Sequence, residues 1–271
     1  MKRLIRAVGV ALAAVLAVAP AWAGRACDDP KPLTAQTVER AMTLALRTAQ
    51  ALDASGADVV LLARAGQDLS KYKVRYSHLG FAYREVLADG TSVWRVLHKL
   101  NQCGTAESAI YKQGLGEFFL DDLWRFEAAW VTPRAEVQKA LLPVLRDTAQ
   151  AVRLHLKAYN MLSYPWATRY QQSNQWAMET IAMAMAPVAG EGAPAREKAQ
   201  AWLRLRDYQP AVLQLDALTR LGARVTRANV AFDDHPDDKR YSGRIETVTV
   251  ESVFDWMQRA QLSTGPARVL E

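Results

Sequence analysis

Residues 73–101, KVRYSHLGFAYREVLADGTSVWRVLHKLN, decide the fold. Val74 to Val86 and Ser92 to Leu100 read as two strands. Ala88-Asp89-Gly90-Thr91 lies between them, and Asp-Gly is the strongest short hairpin signal. The stretch therefore predicts an antiparallel hairpin with His78 in mid-strand. Gly80 removes side-chain bulk where another group can approach closely. A two-residue Asp89-Gly90 turn pairs Asn101 with His78 and sets His98 opposite Phe81 on the other face. A bulge or a longer loop reverses those faces.

Outward from the hairpin, apolar spacing predicts a helix from Thr34 to about Asp53, with Val38, Met42, Ala45, Leu46 and Ala49 on one face. Asp58 to Ala65 is an apolar run of strand length, residues 113–123 are loop or short helix, and Trp124 to Val131 is a further strand. Thr132 and Pro133 then open a long helix that runs to about Ala158. A helix begins after Ser173 and ends before Pro187. Val188 to Pro194 reads as a linker. Beyond it come helices near 195–206 and 211–221, short strands near 228–232 and 244–250, and a last helix near 251–261. This is an α+β pattern, an antiparallel sheet with packed helices.

Residues 1–23 have the three parts of a secretory signal. Lys2, Arg3 and Arg6 precede an apolar run from Ala7 to Ala19, and Ala21-Trp22-Ala23 is a small-x-small cleavage site. Thirteen apolar residues fall short of the roughly 20 needed to cross a bilayer. The expectation is a periplasmic protein beginning at Gly24, with no integral membrane segment after cleavage. The whole chain has 34 basic and 28 acidic residues; removing the three in the signal leaves 31 against 28, a net +3. With no basic stripe, nucleic acid is not an expected partner. Cys27 and Cys103 are the two cysteines. In an oxidising compartment an even pair reads as a disulfide; a free thiol at Cys103 is the other reading.

Two segments could carry chemistry. One is the hairpin around His78. The other is Tyr170 to Ala182, YQQSNQWAMETIA, where Ser173 is a good helix cap. A hydroxyl there sits beside free backbone N–H groups and the positive end of the helix dipole, which favour a developing oxyanion. A serine at a helix start is equally a plain cap, and a strand histidine is equally a core residue bonded to a carbonyl.

The order of these parts resembles circularly permuted papain-like hydrolases, the NlpC superfamily and its lecithin–retinol acyltransferase relatives. Their Ser-His-x-Gly hairpin is similar to Ser77-His78-Leu79-Gly80. Their Asn-Cys-Asn-x-Phe helix start is similar to Gln172-Ser173-Asn174-Gln175-Trp176, with serine in place of the nucleophilic cysteine. The runs GQDLSKYKVRYSHLGFAYRE, HKLNQC and YQQSNQWAMETIA resemble the bacterial domain-of-unknown-function family 2145 over nearly the whole mature chain. The resemblance implies a permuted papain-like core over 24–190, with residues 191–271 as a C-terminal α/β extension packed on it. It implies Ser173 as nucleophile, His78 as base and Asn101 or His98 as the residue that orients the histidine. Trp166, Tyr170, Asn174 and Trp176 would then wall a substrate groove.

The function expected is a serine-dependent amide or ester hydrolase or acyltransferase acting on cell-envelope peptide, lipid or lipoprotein. The alternative is a non-catalytic envelope module that binds a peptide or lipid, or an assembly factor that docks through its C-terminal part. No cofactor motif is present: no phosphate loop, zinc spacing or dinucleotide fingerprint. Residues 233–238, DDHPDD, have metal-ligand types but no ligand spacing and read as a solvated acidic loop. His155 is expected on a helix surface, and Met178, Met183 and Met185 in the core.

Overall fold

The computed structural model describes residues 33–121, 123–186 and 195–271. The proposed signal, Cys27 and the proposed linker lie outside the described residues. Among those described, nine helices surround a six-stranded antiparallel sheet, and a separate two-stranded sheet stands beside it. The fold is α+β.

Helix α1 (Ala35–Ala54) is capped by Thr34, whose side chain accepts from Thr37 N. It leads into β1 (Val59–Ala65), buried at every residue. The hairpin β2 (His78–Val86) and β3 (Ser92–Asn101) follows, then β4 (Ser108–Gly114) and the short α2 (Leu115–Leu120). After β5 (Arg125–Val131) come α3 (Ala135–Arg146), α4 (Thr148–Ala151), α5 (Ser173–Met185) and α6 (Arg196–Leu205). The chain ends with β6 (Ala211–Gln214), α7 (Ala217–Thr226), α8 (Asp237–Ser242), β7 (Arg244–Thr247), α9 (Val250–Arg259) and β8 (Arg268–Leu270). The large sheet has the order β4-β3-β2-β1-β5-β8, and β6 pairs with β7.

Strand alternation divides the core in two. Val60, Leu62, Ala82, Trp94, Val96, Ala128 and Trp130 face α1 and α2, with Leu44, Leu52, Phe118 and Phe119. Val59, Leu61, Leu79, Phe81, Leu97 and Val131 face α3, α5, α6 and α9. The central strands are thus buried on both faces, which is why β1 is apolar at every position but Arg64.

The differences from expectation have local causes. Helix α1 turns Ala41, Leu44, Ala45, Thr48 and Leu52 inward and leaves Val38, Met42 and Leu46 exposed, because its small residues allow close packing on the sheet. Strand β4 was hidden by its polar, half-exposed edge position. The long helix stops at Arg146: Asp147 turns to an extended conformation, and its side chain caps α4 by accepting from Ala149 N and Gln150 N. Residues 211–214 form a strand, displacing the expected helix to α7.

Residues beyond 195 are not one separate layer. Helices α6 and α9 complete the main core, and β8 closes the sheet against β5. The part that stands apart is β6, α7, α8 and β7, around a small cluster of Leu215, Val230, Phe232 and Ile245.

Candidate functional site

The β2–β3 turn sets which residues meet. Leu87 N donates to Thr91 O, Gly90 N donates to Leu87 O, and Gly90 has φ +83°. Three residues, Ala88 to Gly90, therefore cross the turn, with glycine in the left-handed position such a loop requires. This is one residue more than Asp-Gly alone, and it shifts the register so that Phe81 pairs with Leu97. His98 then shares a face with His78, and Asn101 lies on the other. Asn101 instead holds the next turn: its Nδ2 donates to Thr105 O and Glu107 O, and its Oδ1 accepts from Asn229. The expected His78–Asn101 pairing is corrected to His78–His98.

His78 Nε2 lies 2.8 Å from His98 Nδ1, and His98 Nε2 lies 2.9 Å from Gln113 Oε1. A carboxamide oxygen only accepts, so His98 carries its proton on Nε2 and accepts at Nδ1; His78 must then donate from Nε2. The two rings form a T-shaped pair under Phe118. Arg64, on the same face, donates to Phe118 O and pairs with Asp121. Burial first, and then the Arg64 charge, holds His78 well below its usual 6.5 and pushes His98 down to about 3. Gly80 is needed here: a Cβ would sit 2.9 Å from Val96 Cγ1 and 3.0 Å from His98 Cβ. The close approach expected at Gly80 is made by the neighbouring strand.

Ser173 is on the other side of the sheet. Trp176 of α5 packs edge-on against Phe81, which alternates with His78 along β2 and points the opposite way. The structure does not bring Ser173 and His78 together. Nor is Ser173 the cap. Gln172 is, accepting from Asn174 N at 3.0 Å. Gln172 Nε2 donates to Thr247 Oγ1 and Val248 O, and Asn174 Nδ2 donates to Val248 O. The β7–α9 junction thus roofs the start of α5, and Ser173, Asn174 and Trp176 are buried. Trp166 packs on Tyr208 under the Arg204 guanidinium, and Tyr170 is stacked by Arg169 and bonded to Asp233. These aromatics serve packing between loops in place of the expected groove.

Beneath α5 lies a buried charge cluster that no sequence motif announced. Glu179 accepts from Arg196 Nε (2.8 Å) and Nη2 (3.0 Å), Gln171 Nε2 (2.6 Å) and Gln200 Nε2 (2.9 Å). Lys99 Nζ donates to Leu156 O and Gln171 Oε1. Burial and Arg196 push the Lys99 ammonium down to about 7, against the pull of Glu179. This lysine has no open path to a substrate, being fully buried.

The acidic segment 233–238 is only in part the solvated loop expected: Pro236, Asp237 and Asp238 are exposed at the start of α8, while the first half is packed in. His235 is enclosed, its ring nitrogens bonded to Asp234 Oδ1 and Glu246 O, and Asp234 accepts from Tyr164 N. These bonds consume the ligand atoms of Asp234 and His235, and among the described residues no group of His, Cys, Asp and Glu is arranged to hold a metal. His155 sits in the turn after α4, half-buried, with burial pushing it to about 4. Met178 is fully buried, with Met183 and Met185 packed on the same core. Cys103 is disulfide-bonded.

One surface was missed entirely. Helix α7 has no buried residue, and Leu218, Leu221 and Val225 are 81%, 60% and 55% exposed. Their i, i+3, i+7 spacing is a helix face that points to solvent. Beside it, Ala217, Arg220, Leu221, Arg224, Phe232, Arg240 and Tyr241 line an open concavity of about 210 Å³. The signal was available in the spacing, but a reading that assumes apolar stripes face inward assigns it to the core.

A family model described as "Uncharacterized protein conserved in bacteria (DUF2145)" matches residues 51–257, from the end of α1 to α9. No curated protein and no solved structure matches the chain.

Proposed function

The chain belongs to the bacterial DUF2145 family, and from that premise we propose that it is an exported, non-catalytic cell-envelope module that works by docking through its C-terminal surface. The proposed compartment is the periplasm, reached by a signal cleaved after Ala23. Among the described residues no helix is long and apolar enough to cross a membrane. The observation that carries the docking reading is α7, a whole helix laid on the surface with its apolar stripe outward. Monomeric surfaces rarely keep such stripes without a partner.

The serine-dependent hydrolase or acyltransferase reading is less well supported. It needs a Ser173 hydroxyl within hydrogen-bond reach of a base and open to substrate. Instead Ser173 is buried at the start of α5, where its neighbours Gln172 and Asn174 are bonded to the Thr247–Val248 segment, and His78 spends its Nε2 proton on His98 across the sheet.

Intact mass of the purified mature protein, before and after a fluorophosphonate probe, tests the proposal. The expected mass begins at Gly24, lacks two hydrogens for a disulfide, and is unchanged by the probe. One adduct on the wild type that is absent from Ser173→Ala would sink the non-catalytic reading.

A further inference from the structure

We propose that the α7 face docks on the surface of an anionic phospholipid bilayer, with Leu218, Leu221 and Val225 entering the headgroup region and Arg220, Arg224 and Arg240 meeting lipid phosphates. This rests on the docking reading above and names its partner.

Three features converge. The first is shape. The exposed α7 stripe forms a ridge, with the open concavity at its flank. A ridge of leucines and valine suits the plane of a membrane interface.

The second is charge. Arg220 and Arg224 lie on α7, and Arg240 and Tyr241 of α8 line the same concavity. Among the described residues no carboxylate lies within salt-bridge distance of any of the three arginines, although Asp237 and Asp238 share α8 with Arg240; the arginines with carboxylate partners are Arg64, Arg75, Arg84, Arg95, Arg169 and Arg196. Helix α7 itself carries no acidic residue. Basic residues beside an apolar stripe are the composition that anionic lipid attracts.

The third is an unmet donor. Arg220 Nε is shielded from solvent and has no hydrogen-bond partner. Arg220 as a whole is only partly buried and lines the open concavity, where a phosphodiester oxygen can accept from the accessible part of its guanidinium with the favourable charge. Tyr241, 69% exposed at the rim, has the amphipathic ring that settles at the level of lipid headgroups.

The test is co-sedimentation of the purified mature protein with vesicles of equal parts phosphatidylglycerol and phosphatidylcholine, against vesicles of phosphatidylcholine alone. Binding to the anionic vesicles is expected, at least tenfold tighter than to the neutral ones, and lost at about 0.5 M salt as screening shortens the reach of the arginines. Leu218→Asp and the pair Arg220→Glu with Arg224→Glu should each lower binding about tenfold or more. Val86→Asp, at the exposed tip of the β2–β3 hairpin, should leave it unchanged. Leu218 is almost fully exposed, so the variant keeps the fold, and its circular dichroism and melting curve check this.

Absence of binding to anionic vesicles at low salt overturns the inference. So does binding that Leu218→Asp and the arginine reversals leave intact. Capture of an acidic protein by the α7 face with no vesicle binding would also overturn it, while the docking reading stands. A fluorophosphonate adduct on Ser173 strikes the docking reading and leaves the vesicle result to be judged on its own.

Discussion

Burial, with the Arg64 guanidinium close by, keeps both His78 and His98 uncharged at neutral pH. Gln113 fixes the proton on His98 Nε2, and Phe118 packs against both rings. In the unfolded chain both rings regain the ordinary value of 6.5. The folded values are depressed, so the stability the neutral rings confer is fully present above pH 6.5. It is lost as pH falls from there towards about 3, where folded His98 titrates. Each proton taken up only by the unfolded chain costs about 1.4 kcal/mol per pH unit in that window. Urea unfolding at pH 7, 6, 5 and 4 should therefore show a falling stability, and His98→Gln should show a shallower fall. Equal slopes for the two proteins would contradict the buried, neutral pair. The sequence singled out His78, Gly80 and His98 from their place in a hairpin. It did not decide between His98 and Asn101, because that rests on whether two or three residues cross the turn. The hydrogen bond from Leu87 N to Thr91 O settles it.

At the scale of elements, α5 illustrates what periodicity can and cannot carry. Its limits were legible: Ser173 opens it, and Pro187 follows closely. Its surroundings were not, since Ser173 to Ala182 is buried at every position and so has no polar face to betray a side. The polar residues of α5 are satisfied instead by partners far along the chain. Glu179 binds Arg196 and Gln200 of α6, which lie beyond the proposed linker. Such pairing is invisible to local pattern. It makes Glu179→Gln a sharp test. Neutralising the carboxylate leaves the Arg196 guanidinium buried beside Lys99 with no counter-charge, and removal of one partner from a buried pair typically costs about 3–5 kcal/mol. The loss should appear in the urea midpoint with little change in the slope of the transition. Replacing both partners, Glu179→Met with Arg196→Met, should restore part of it, because the stranded charge is then gone. A single-variant loss under about 1 kcal/mol would mean that the pair is no more than a surface-type contact.

For the molecule as a whole, the order of strands explains why the last residues matter to the first. Strand β5 is an inner strand solely because β8 pairs with its outer edge, through Ala128–Leu270, Ala129–Val269 and Trp130–Arg268. The same tail ties back to the start: Glu271 accepts from Arg75 Nη2 through its side chain and from Arg47 through its backbone. An α+β sheet with helices on both faces could be read from hairpin and helix spacing. A closing strand of three residues could not, because so short a segment has no alternation to detect. Deleting residues 266–271 should therefore do more than shorten a surface tail. It removes three ladder pairs, frees the N–H and C=O groups along β5, and bares the edge of an apolar strand reading RFEAAWV. Exposed apolar edges recruit further strands, so the truncated protein should lose stability and self-associate in a concentration-dependent way. Substituting Val269→Lys in the full chain separates the two effects. It keeps the backbone pairing and adds charge at a half-exposed position, so that variant should stay monomeric. Light scattering across a concentration series reads both proteins. A monomeric truncation with an unchanged melting curve would show that β8 merely lies against the sheet and does not close it.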